Sequence, residues 1–176
     1  QGVAQAVREC RRAGITTVMI TGDHPDTAFA IAKRLTIAQN ESEVITGAEI
    51  DAMAESAFFE SIAQYKVFAR VSPKHKTMIV RALQKKDNVV AMTGDGINDA
   101  PSIRTADIGI AMGVSGTDVT KSASDMVITD DNFTTIVTAV REGRRVFSNI
   151  KKTIQFFLAT NLAEVLCILA VTLVLY

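Results

Sequence analysis

Residues 89–101 read Val-Val-Ala-Met-Thr-Gly-Asp-Gly-Ile-Asn-Asp-Ala-Pro. A short apolar strand here empties into a turn bounded by Gly94 and Gly96, and the turn carries Asp95, Asn98 and Asp99. An uninterrupted apolar run of this length suits a buried parallel strand. Open α/β sheets place their ligand chemistry just beyond the carboxyl ends of such strands. Two carboxylates and an amide gathered there suit Mg2+, which takes one or two carboxylates together with waters and a phosphate. A bare Gly-Asp-Gly is an ordinary strand-to-helix turn; the whole string is what points to metal and phosphate. The rest of the chain must then supply a parallel sheet around it.

It does so by alternation. Val3, Ala6, Val7 and Cys10 recur at helical spacing before Gly14, and 15–20 is a β-branched, apolar strand ending in Thr21-Gly22-Asp23. Pro25 suits the first turn of the next helix, and Asp26 suits its positive end. The stretch 46–64 is less regular, with short helices expected around 50–53 and 56–62. Residues 66–69 read as a strand. Ser72-Pro73 then starts a helix reaching about Lys86, with a capping hydroxyl followed by proline. After the central turn come a short helix near Ile103, a strand at 108–112, a loop and helix at 113–122 and a last strand at 125–128. Strands alternating with helices predict an α/β layer structure with a parallel sheet and flanking helices.

The character changes at Phe133. Ile136, Val137, Val140, Val146 and Phe147 run helically among Arg141, Arg144 and Arg145. Lys151-Lys152 then precedes the apolar stretch 154–176, whose one charged residue is Glu164. A bilayer crossing needs about 20 such residues, and the basic flank places residues 1–153 on the cytoplasmic side. The organisation expected is therefore 1–132 as the α/β domain, 133–153 as a stalk helix and 154–176 as a transmembrane helix. The 176 residues carry 19 Lys+Arg against 19 Asp+Glu, a balance that gives no reason to expect a nucleic-acid partner. Cys10 and Cys167 lie far apart and imply no disulfide framework. The chain opens on Gln1 inside a helical pattern and closes inside an apolar run, so we expect it to be an excerpt of a longer protein.

These residues together resemble one family. Thr21-Gly22-Asp23, Phe68-Ala69-Arg70-Val71-Ser72-Pro73-Lys74-His75-Lys76, the string 93–101, the segment 108–113 and Asp131-Asn132-Phe133 stand in the order and spacing of the P-type cation-transporting ATPases. The match is to the C-terminal part of their phosphorylation domain and the transmembrane helix that follows. That family belongs to the haloacid-dehalogenase-like superfamily, with a Rossmann-like sheet and chemistry through an aspartyl phosphate. The resemblance implies that Thr21 hydrogen-bonds the transferred phosphoryl group, with Gly22 and Asp23 shaping its loop. It implies that Lys76 neutralises the aspartyl phosphate and that Arg70 contacts the nucleotide. Asp95 would hold Mg2+, with Asn98 and Asp99 supporting metal and phosphate; ATP would be the substrate. Phosphoryl transfer needs positioning and charge stabilisation above all, and this set of groups supplies both.

The family's nucleophile lies in an Asp-Lys-Thr-Gly-Thr motif on the central strand of its sheet, and no such string occurs here. The segment alone is therefore expected to be inactive and to leave strand edges that other parts of the pump would pair. Asn161 and Glu164, three residues apart, share a helix face within the apolar run. A carboxylate at membrane depth is a functional feature by default. The resemblance implies a cation site there, and Val165-Leu166-Cys167-Ile168 points to Ca2+ over the Na+/K+-type alternative. A membrane-anchored phosphatase of the same superfamily and a truncated, non-catalytic regulatory protein are the readings from other classes. The bilayer and the remaining domains and helices of the same pump are the partners implied.

Overall fold

The computed structural model describes residues 2–175 and divides into two compact units, Gln1–Ile136 and Val137–Tyr176. In the first unit, six short strands alternate with helices and form two three-stranded sheets, every pairing parallel. One sheet has the order β1 (Met19–Ile20), β3 (Val67–Ala69), β2 (Val44–Thr46). The other has the order β4 (Ala91–Gly94), β5 (Ile108–Met112), β6 (Met126–Ile128). The alternation thus yields the expected parallel α/β architecture, delivered as two sheet pieces.

Central strand β3 is buried along its whole length, and its side chains divide between two cores by the period of two. Val67 and Ala69 face Ala28 and Ala32 of α2 (Pro25–Arg34). Phe68 faces the other way, toward Ile50 of α3 (Gly47–Ala52), Phe58 of α4 (Glu55–Ser61) and Ile79 of α5 (Pro73–Gln84). Phe58 and Tyr65 meet the Phe68 ring edge-on, at centroid distances of 6.5 and 6.4 Å. Such pairs add about 0.5–1.5 kcal/mol beyond their burial. Helices on both faces make this a doubly wound arrangement.

The second sheet sits over Val80 of α5 and Ile103 of α6 (Ala100–Thr105), which cluster with Met92 of β4. Ile20 of β1 packs against that same cluster, so the two sheets share a core boundary. On its opposite face Ile110 and Ile128 meet Phe133 and Ile136 from the first turn of α8 (Phe133–Leu175).

Local chemistry sets the helix starts. Ser72 caps α5 by accepting from the His75 N–H, and His75 accepts in return from the Ser72 N–H, with Pro73 in the first turn. Thr46 and Glu49 form the same reciprocal box at the start of α3. α1 (Val3–Arg12) buries Ala6, Val7 and Cys10 as its spacing predicts, while Val3, the first residue of that spacing, is exposed at the helix start.

Three strands differ most from the sequence reading. Strand β2 was not anticipated, because its three residues run directly into the capping box of α3 and show no period of their own. Strand β1 keeps only two residues of the apolar run 15–20, since it pairs with β3 on one side alone. Strand β4 starts at Ala91, where its ladder with Ile108 begins. Val89 is 79 % exposed, and the Val90 N–H donates to the Asp107 carboxylate instead of a strand.

The last element, α8 (Phe133–Leu175), is one unbroken helix through Gly143 and Lys152. It is long and apolar enough to cross a membrane.

Candidate functional site

The Thr21-Gly22-Asp23 turn leaves β1 and is stitched to the end of β3. The Thr21 N–H donates to the Phe68 carbonyl at 2.9 Å, Arg70 N–H to the Asp23 carbonyl at 3.1 Å and Val71 N–H to the Thr21 carbonyl at 3.3 Å. The Thr21 hydroxyl oxygen accepts from the Asp23 N–H at 3.1 Å. That use leaves its hydrogen to donate outward. Gly22 and Asp23 are exposed on this turn. Arg70 is exposed too, and its φ of 48° places it in the left-handed region, a conformation held by its bond to Asp23.

From the end of β3, Ser72 and Pro73 start α5, and its first turn carries Lys76 inward. The ammonium donates to Oδ1 of Asp99 from 23 residues further along the chain. Both side chains are largely enclosed, at 18 % and 10 % exposure, so the pair sits in a medium where charge attraction is strong. Gly94 makes room for it: a Cβ at that position would lie 2.5 Å from Cβ and 2.8 Å from Cγ of Asp99. We expect Gly94→Ala to displace Asp99 from Lys76 and to lower stability by about 1–3 kcal/mol, read as a fall in thermal midpoint. An unchanged midpoint would show that Asp99 has another place to go.

Asp95 follows Gly94 and is exposed, as is Asn98; no hydrogen bond or ion pair engages the Asp95 carboxylate among the described residues. Its backbone carbonyl, by contrast, accepts from the Thr117 N–H at 3.1 Å, and the Thr120 hydroxyl, which donates to the Thr117 carbonyl at 2.7 Å, lies 3.4 Å away. A backbone held from behind and a side chain directed to solvent suit a ligand-binding carboxylate. Among the described residues no three His, Cys, Asp or Glu side chains converge into a cage for a metal. Mg2+ requires no such cage, because waters and substrate phosphate complete its octahedron around one or two carboxylates. The donor set at Asp95 and Asp99 fits that ion.

Lys76, Asp99 and the turn of Asp95 and Asn98 therefore form one locality, and Thr21, Gly22, Asp23 and Arg70 share the end of β1 and β3. Asn161 and Glu164 belong to the second unit, on α8. The sequence reading missed His75, which is buried at 6 % exposure and bonded by Nε2 to Asp51 at 3.0 Å. The Ser72-x-x-His75 spacing of a capping box was the available signal. It also missed Thr117 and Thr120, which no local pattern links to Asp95.

The model of the haloacid dehalogenase-like hydrolases matches residues 1–107. A calcium-transporting ATPase of Bacillus cereus is 56 % identical over 93 % of this chain and 18 % of its own length. One of Bacillus subtilis is 50 % identical over 95 % of this chain and 19 % of its own. Among solved structures, a zinc-transporting PIB-type ATPase in an E2.Pi state superposes with a TM-score of 0.65 at 31 % identity, covering 86 % of this chain and 20 % of that one. The chain thus spans about a fifth of the length of the relatives it matches. With a parallel α/β fold, a lysine–aspartate pair beyond β4 and a threonine turn beyond β1, this chain belongs to the haloacid dehalogenase-like hydrolase family, and its relatives within that family are cation-transporting ATPases.

Proposed function

We propose that this chain is the C-terminal part of the phosphorylation domain of an ATP-driven pump, together with the membrane helix that follows, and that the pump moves Ca2+. In this reading 1–132 is the phosphorylation domain, 133–153 the stalk and 154–176 the membrane segment, with residues 1–153 on the cytoplasmic side. The observation that carries it is the enclosed Lys76–Asp99 pair set against Gly94 at the end of β4. Such a site holds positive charge ready for a phosphoryl group and a carboxylate ready for a metal.

Phosphoryl transfer here is positioning plus charge stabilisation. Thr21 donates its hydroxyl hydrogen to a phosphoryl oxygen, and its loop is kept in place by the three backbone bonds to Phe68, Arg70 and Val71. Lys76 presents its ammonium to the aspartyl phosphate while Asp99 fixes its direction. Asp95 and Asp99 would hold Mg2+, and Asn98 lies beside them; when bound, the ion neutralises charge on the phosphoryl oxygens. Arg70 is exposed for contact with the nucleotide. The aspartate that accepts the phosphoryl group lies in no motif of this chain. Strands β1 and β4 each pair on one side only, which agrees with a further strand carrying that aspartate between them.

Ca2+ is the ion the relatives' names favour, and Asn161 and Glu164 offer it oxygens from one face of α8. The test uses the full-length protein in membranes. Addition of ATP and Mg2+ should produce an acid-stable, hydroxylamine-sensitive phosphoenzyme whose level rises with micromolar Ca2+. A phosphoenzyme that forms without regard to Ca2+ and responds to another cation would keep the pump and remove the ion; none at all would remove both.

A further inference from the structure

We infer that Asp131 is a positioning residue for the metal turn: its carboxylate clasps the loop 113–117, and that loop holds the backbone of Asp95. The inference rests on the reading of Asp95 as a Mg2+ ligand.

Two neighbouring aspartates precede α8, and they do different work. Asp130 serves the helix, accepting from the Asn132 N–H at 3.1 Å and from the Thr135 hydroxyl at 2.7 Å. Asp131 turns away from it. With a φ of 49° it occupies the left-handed region, which Asp tolerates better than most residues. Its two oxygens accept from successive amides of the loop, Val114 N–H at 2.9 Å and Ser115 N–H at 2.7 Å. The hydrogen bond from Val114 leads in holding the Asp131 carboxyl down at about 2, so the clasp is made by the charged form.

The clasped loop is tight. The Gly113 N–H donates to the Ile128 carbonyl at 2.8 Å, and a Cβ on Gly116 would lie 2.0 Å from the Met112 carbonyl oxygen. Only a residue without a side chain fits where the loop folds back on the end of β5. The next residue, Thr117, donates its N–H to the Asp95 carbonyl, and its hydroxyl caps the short helix α7 (Asp118–Ala123) by accepting from Thr120. Thr120 is fully buried and gives its one hydroxyl hydrogen to the Thr117 carbonyl at 2.7 Å, with the Asp95 carbonyl 3.4 Å away, so it fixes Thr117 and the Thr117 amide carries the link to Asp95. Asp95 has no strand partner of its own, since the β4 ladder ends at Gly94 paired with Ala111. The support for its backbone therefore comes from the loop that Asp131 holds. Groups that orient a metal ligand from behind typically change metal affinity about 10–100-fold when removed.

The experiment compares Asp131→Ala, Asp131→Asn and Asp130→Ala in the full-length protein by amide hydrogen exchange, with and without Mg2+. Without metal, Asp131→Ala should speed exchange at Val114, Ser115 and Thr117, while Asp130→Ala should affect only the start of α8. The Mg2+ concentration giving half-maximal protection of 94–99 should rise about tenfold in Asp131→Ala. Asp131→Asn keeps one acceptor oxygen and should fall between. Faster exchange in the loop with an unmoved Mg2+ midpoint would overturn the inference, because the clasp would then be local. An equal shift in Asp130→Ala would overturn it too, by showing a general loss of stability. Failure of the pump reading looks different: Mg2+ protects 94–99 in the unaltered protein, yet ATP yields no phosphoenzyme.

Discussion

Lys76→Met in the full-length protein is expected to lower phosphoenzyme formation from ATP by about a hundredfold or more, the usual effect of removing one preorganised electrostatic donor. Methionine keeps much of the stem's packing and deletes the charge. The same change strands the Asp99 carboxylate, which is only 10 % exposed and has lost its cation. Breaking an enclosed ion pair from one side costs about 3–5 kcal/mol. Two effects are therefore mixed in the single variant, and a second variant separates them. Lys76→Met with Asp99→Asn removes both charges, so much of the stability should return while phosphorylation stays as low as in Lys76→Met. Thermal denaturation and acid-quench phosphorylation on the same preparations provide the comparison. Recovery of phosphorylation in the double variant would mean that Lys76 serves only to neutralise Asp99.

The second large effect is expected in the proposed membrane segment. Glu164→Gln preserves the shape of the side chain and one carbonyl oxygen, but removes the negative charge that draws a hard divalent cation. Vesicle uptake should require at least about tenfold more Ca2+, equivalent to about 1.4 kcal/mol or more of lost binding. Phosphorylation from inorganic phosphate, which in the proposed reading uses the Thr21, Lys76 and Asp95 end of the molecule, should persist. Asn161 lies one turn away on the same helix and should show a smaller effect when changed to alanine, since it contributes oxygen without charge. A Ca2+ dependence unaltered in Glu164→Gln would take the ion site away from this helix.

Lys76 was singled out through a motif match, and the fold then supplied a reason for its placement: α5 begins at a cap immediately beyond β3, and the next strand brings Asp99 opposite. The order of elements was legible because periodicity and capping are local. Ser72-Pro73 and Pro25 each mark a helix start where the structure has one, and Ile108–Met112 has the bounds its apolar pattern predicts. Strands were less legible where tertiary partners decided their length. β1 is short for want of a second neighbour, and β4 begins late because Asp107 takes the Val90 amide.

Asp131 shows the limit most clearly. In sequence it is one of two adjacent carboxylates before a helix, and either could be the cap. Only the fold distinguishes them: β6 ends beside the turn after β5, which brings the amides of Val114 and Ser115 within reach of residue 131. The amino-acid sequence by itself determined the α/β alternation, the helix starts at Pro25 and Pro73, the membrane-length helix and the residue types of the proposed phosphoryl-transfer site, because each is written in neighbours within a turn or two. The tertiary structure alone decided that Lys76 pairs with Asp99, that His75 leans on Asp51, and that Thr117 and Thr120 stand behind Asp95. Those contacts join residues more than twenty apart, and they depend on which strands lie side by side and in what register.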